Sequence, residues 1–239
     1  MKITSLRLFV FAVVFLFASQ VTHSQIPTVS VGGNSIALPP PEGFFRYDGK
    51  SARVDAVEQN LLPKTNRLLA VFGLEEVLAD VLSDRFPKIG RHFSAQTERS
   101  LEVMTISPSL FAEFKPEMRN PITAQLEIYR EAAKEIENNA ASAAYAQTGI
   151  LAKLRIGETI PLGIFDETKE SLCFSMLSKA QISGIAGSYV TITACCVINV
   201  KDRLFYLYSS SPYREKADIE WARRSVQRWR DAVLKSNAQ

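Results

Sequence analysis

Residues 171–208 read SLCFSMLSKAQISGIAGSYVTITACCVINVKDRLFYLY, and this stretch decides the fold. It holds three apolar, β-prone runs, Ser171–Leu177, Tyr189–Val200 and Arg203–Tyr208. Turn-like segments at Ser183–Gly187 and Lys201-Asp202 divide them. Connections this short make neighbouring strands pair antiparallel. Upstream, Leu154-Arg155-Ile156 and Ile160–Phe165 extend the meander through turns at Gly157-Glu158 and Asp166–Glu170. Downstream, a helix is predicted from about Asp218 to Ser236, with Ile219, Ala222, Val226, Trp229 and Val233 on one stripe.

Towards the N-terminus, Val29 and Val31 precede the turn signal Gly32-Gly33-Asn34, and Ile36-Ala37-Leu38 gives a second short strand. Pro39-Pro40-Pro41 then stops pairing, because proline has no N–H for a ladder. Phe44 and Phe45 are expected to enter the core. Residues 67–72 (RLLAVF) read as a buried strand. Leu74, Val77, Leu78, Val81 and Leu82 follow helical spacing up to Pro87, and His92–Met104 suits a strand. Ser107-Pro108 opens a helix carrying Leu110, Phe111 and Phe114. A longer helix runs from about Ile122 to Thr148, with Gly149 as its stop. The sum is an α+β fold, a single domain with a mainly antiparallel meander sheet covered by helices.

Lys2, Arg7 and the apolar run Leu8–Ala18 have the form of a secretory signal peptide, with small residues Thr22 and Ser24 before a cut after Ser24. The run is shorter than the roughly 18 residues a membrane-spanning helix needs. Residues 1–24 are therefore a cleaved signal and 25–239 the exported domain, secreted or periplasmic, with no transmembrane segment. Of 28 basic residues, losing Lys2 and Arg7 leaves 26 against 25 acids, a balance that argues against a nucleic-acid partner. His92 is the single histidine of that domain, since His23 leaves with the signal. No zinc-type His/Cys cluster, C-x-x-C, G-x-S-x-G, P-loop or calcium-loop motif occurs, so no catalytic, cofactor-binding or metal residue is assigned. The acidic pairs Glu75-Glu76, Asp166-Glu167 and Glu135-Glu137 read as solvent-facing charge.

Two features remain. Strand parity puts Val190, Ile192, Ala194, Cys196 and Ile198 on a core face and Cys195 on the other. With Leu172, Phe174 and Met176 core-facing and a hairpin centred on Ile185, Cys173 falls near Cys195. Two readings stand, a Cys173–Cys195 cross-strand bridge with Cys196 a buried thiol, or three reduced, packed thiols. On the last helix, Trp221, Arg224, Arg228 and Lys235 fall away from the apolar stripe. They form either a surface for an anionic partner or a solvated face with Glu220 and Asp231 as counter-ions.

The segment ALPPPEGFF, the meander LGIFDETKESLCFSML with VTITACCVINVKDRLFYLY, and the Trp-bearing last helix resemble a group of exported bacterial proteins of unknown function. The layout also resembles the Mog1/PsbP-like fold, whose members mostly act as binding or assembly factors. The resemblance implies a non-enzymatic binding or assembly factor of the cell envelope, with a protein or small-molecule partner. The alternatives are an envelope hydrolase with an unrecognised site built on His92, or membrane-surface association through the last helix.

Overall fold

The computed structural model describes residues 26–85, 90–119, 131, 133–139, 154–182 and 188–238. In chain order the elements are β1 (Thr28–Val31), β2 (Asn34–Ala37), β3 (Phe45–Arg46), α1 (Ala52–Asn60), β4 (Asn66–Gly73), α2 (Glu75–Leu82) and β5 (His92–Glu98). There follow α3 (Arg99–Glu102), α4 (Pro108–Arg119) and the helical residues 133–139, here α5. The chain ends with β6 (Leu154–Glu167), β7 (Ser171–Ile182), β8 (Tyr189–Val200), β9 (Arg203–Pro212) and α6 (Lys216–Asn237). Strands β3 to β9 make one antiparallel sheet in the order β3-β4-β5-β9-β8-β7-β6, and β1-β2 is a separate hairpin. This is an α+β architecture built on the predicted meander, with one correction: β6 runs unbroken through the turn expected at Gly157-Glu158, where its ladder with β7 only shifts register.

One sheet face packs on α6. Ala95, Ala194, Cys196, Ile198, Phe205 and Leu207 meet Ala222, Val226, Trp229 and Val233 in a single cluster. The small residues Ala95 and Ala194 leave room for Trp229, whose ring lies edge-on to Phe72 and Phe93 at 5.4 Å from each. Its indole N–H donates to the carbonyl of Pro39 at 2.8 Å, so the proline run that ends β2 also receives the helix. Burying each such apolar side chain contributes about 1.5–3 kcal/mol. The other sheet face is covered in two places. Tyr47 and Val54 join Val71, Val77 and Val81 under α1 and α2, and Phe111 of α4 lies over Cys195, Val197 and Leu204. A Cβ on Gly73 would stand 2.5 Å from the Val77 side chain, so only glycine lets α2 close on β4.

The cysteine pairing corrects the Cys173–Cys195 expectation and the three-thiol alternative. Cys173 lies opposite Cys196 in the β7–β8 ladder, their Cα atoms are 4.1 Å apart, and the two are joined by a disulfide. Cys195 is the free, buried thiol. The parity of β8 is as predicted, but that of β7 is inverted: Phe174 lies opposite Cys195, on the α4 side. Both faces of this sheet are covered here, so apolar character could not mark the inward face of β7. A register one residue tighter than predicted then moves Cys173 to the α6 face.

Other differences are local. The strand from His92 stops at Glu98, and Arg99–Glu102 is a helical turn that brings the Glu102 carboxylate to Arg67 and to the N–H of Gly32. Phe44 packs on Phe93 at 4.6 Å as expected, whereas Phe45 is exposed. The predicted signal segment, Pro87, Gly149 and most of the 122–148 helix lie outside the described residues.

Candidate functional site: a lysine-lined cleft at one end of the sheet

Two turns, a helix start and a helix end converge at the lower end of β7 and β8. A cleft of about 570 Å³ opens between Lys169 and Glu170 of the β6–β7 turn and Lys201 and Asp202 of the β8–β9 turn. Pro108 at the start of α4 and Leu234, Lys235, Asn237 and Ala238 at the end of α6 complete it, with Asn199 and Val200 between. The volume lies in the range of small-molecule sites.

Hydrogen bonds fix both turns and the end of α6. Lys201 and Asp202 both take left-handed backbone conformations, φ 50° and 61°, which close a two-residue hairpin. That turn is tied down by Asn34, whose amide donates to the Lys201 carbonyl at 2.8 Å, and by the Ile106 N–H, which donates to the Asp202 carbonyl at 3.0 Å. The Lys201 ammonium donates to the Ser35 carbonyl at 3.2 Å. The Glu170 carbonyl accepts from the Asn199 N–H at 2.9 Å, holding the β6–β7 turn against β8. The Asn237 amide donates to the carbonyls of Ala37 and Val233, both at 2.8 Å, and its oxygen accepts from the Ala37 N–H at 2.9 Å. The end of α6 is thereby latched to β2.

The four residues singled out on α6 lie along one stripe of the helix and differ in what they touch. Lys235 lines the cleft. Arg224 and Arg228 are exposed on the outer side of the helix, and Arg224 donates to the Glu220 carbonyl at 3.3 Å. Trp221 instead packs against the core, 5.9 Å from Phe93 and 6.3 Å from Phe44, with the Arg91 guanidinium stacked on its outer face at 4.4 Å. Its place at the margin of the apolar stripe lets the ring turn inward over Phe93.

No Ser–His or Cys–His pair assembles among the described residues. The ring Nδ1 of His92 is 3.0 Å from the Gly90 carbonyl. Ser210, opposite it in the ladder, shares a hydrogen bond with Thr193 at 3.1 Å. Burial pushes the Cys195 thiol well above its usual range, which keeps it neutral. The acidic pairs are divided. Asp166 faces Arg230 while Glu167 faces Arg119 and Lys115; Glu135 accepts from the Lys64 N–H and Glu137 from the Ile156 N–H. The Arg119 guanidinium holds the Glu167 carboxyl below its usual range.

Sequence reasoning missed the buried Arg230, 5% exposed beneath the sheet edge. Its guanidinium pairs with Asp166 and Asp231 and donates to Ser171 Oγ at 3.2 Å, beside the Cys173 sulfur at 3.6 Å. The available signal was its spacing four residues after Val226, on the core stripe. Among the described residues no group of three or more His, Cys, Asp or Glu could hold a metal, and no helix is long and apolar enough to cross a membrane. Compared with protein-family models, curated proteins and solved structures, the chain matches none.

Proposed function

We propose that this chain is a non-enzymatic binding or assembly factor of an extracytoplasmic compartment, and that it takes its ligand in the cleft between Lys169, Lys201 and Lys235. One observation carries the proposal: five separate elements meet around about 570 Å³ of space, and backbone hydrogen bonds fix both turns before any ligand arrives. The Cys173–Cys196 disulfide favours an oxidising compartment, where such bonds persist. The resemblance to Mog1/PsbP-like binding and assembly factors points the same way, by analogy.

The test is a thermal-shift screen of the purified protein against nucleotides, sugars, peptidoglycan fragments, lipids, polyanions and organic acids. Ligand at a hundredfold excess over Kd stabilises the folded state by about 2.7 kcal/mol. A Lys235→Trp variant, which fills the cleft from an exposed position, is expected to abolish the shift. A shift that survives Lys235→Trp would move the ligand elsewhere, and a flat screen would turn the search to protein partners.

A further inference from the structure

Three lysines stand against two carboxylates around the cleft, a net charge of 3 − 2 = +1. Lys169, Lys201 and Lys235 stand on three different elements, and among the described residues none is ion-paired with Glu170 or Asp202. Lys201 is anchored on the Ser35 carbonyl, whereas the ammonium groups of Lys169 and Lys235 have no partner among the described residues. Positive charge set against low-dielectric walls, here Val200 and Leu234, concentrates anions. Asn199 contributes no acceptor to a ligand there: its amide nitrogen donates to the Ile106 carbonyl at 2.7 Å on the α4 side of the sheet, and its Oδ1 is buried.

Resting on the cleft as the binding site, we propose that it receives a small organic anion. A carboxylate or phosphate lies between Lys169 and Lys235, and an apolar portion lies against Leu234 and Val200. Nothing is transferred or cleaved.

Calorimetric titration of the purified protein tests this with two acids and their neutral counterparts. N-acetyl-leucine with its methyl ester probes the carboxylate source, and butylglycerol phosphate with butylglycerol probes the phosphate source. One acid is expected to bind, to bind more weakly as salt rises, and to outbind its neutral counterpart; which acid binds names the source. Lys169 and Lys235 are exposed, so Lys169→Gln with Lys235→Gln leaves the fold intact and weakens binding about fivefold, as expected for two exposed charge contacts. Equal binding of acid and neutral counterpart, or no response to salt and the double variant, overturns the anion while leaving the cleft as a site. No binding of any of the four probes also overturns the anion, and binding that persists in Lys235→Trp overturns both.

Discussion

Unfolding the protein in urea with and without reductant measures what the Cys173–Cys196 bridge contributes. The two cysteines are 23 residues apart in the chain, and the bond closes that loop in the unfolded state. The chain-entropy relation for a loop of this length gives a stabilisation of about 3.4 kcal/mol at 25 °C. The native geometry already sets these residues opposite each other in the β7–β8 ladder, so the reduced protein keeps the same fold and loses mainly the constraint on the unfolded chain. Reduction should therefore lower the urea midpoint, and the denaturant slope should rise because the released chain exposes more surface. Mass analysis supplies an independent check. Denaturing the oxidised protein and alkylating it should label one thiol, Cys195. Tryptic cleavage at Lys169, Lys179 and Lys201 then yields a linked pair of peptides, one with Cys173 and one with Cys195 and Cys196. Fragmentation that places the link on Cys195 refutes the register on which this rests, and a stability loss under about 1 kcal/mol refutes the chain-entropy account of the bridge.

Three further outcomes follow from the packing. Hydrogen bonds from the N–H groups of Arg214 and Glu215 hold the Asp218 carboxyl below its usual range, so its stabilisation is fully present above the unfolded value of about 3.9 and is lost as pH falls through the lowered folded value. Urea midpoints measured from pH 7 down to pH 3 should show a flatter acid limb for Asp218→Asn than for the parent protein. Trp229→Ala should cost about 3–5 kcal/mol in the same assay, while Trp229→Phe, which loses the bond to Pro39 and part of the ring, should cost about 1–2 kcal/mol. Asn237→Ala removes the latch between α6 and β2, and hydrogen exchange should quicken at Ala37 and across β1 and β2 without a change in β8 or β9.

The meander and its antiparallel pairing are legible in residues 154–208 because the turn signals at Lys201-Asp202 and Asp166–Glu170 are short and the runs between them are strongly β-prone. The stripe Ala222, Val226, Trp229 and Val233 is legible for the same reason: a single face of one helix is buried, so the 3.6-residue period shows. Where both faces of a strand are covered, the period-two signal fades, and the pattern of β7 points to the wrong inward face. The inward turn of Trp221 depends on Phe44 and Phe93, which come from distant parts of the chain, and no local pattern announces it. Arg230 is hidden similarly, since its partner Asp166 lies 64 residues away. The cleft was the least visible feature. The helical pattern points only to Lys235, because Lys169, Asn199 and Lys201 meet it only once two hairpin turns and a helix end are brought together.

The latch between Ala37 and Asn237 joins groups 200 residues apart. At a ribosomal pace of about 5–20 residues per second, the first hairpin waits about 10–40 s for the side chain that holds it. Through that interval Val31, Ile36 and Leu38, all fully enclosed in the finished protein, have no α6 to rest on. The burial of the first hairpin is thus a late event, which waits on a helix made some 200 residues after it.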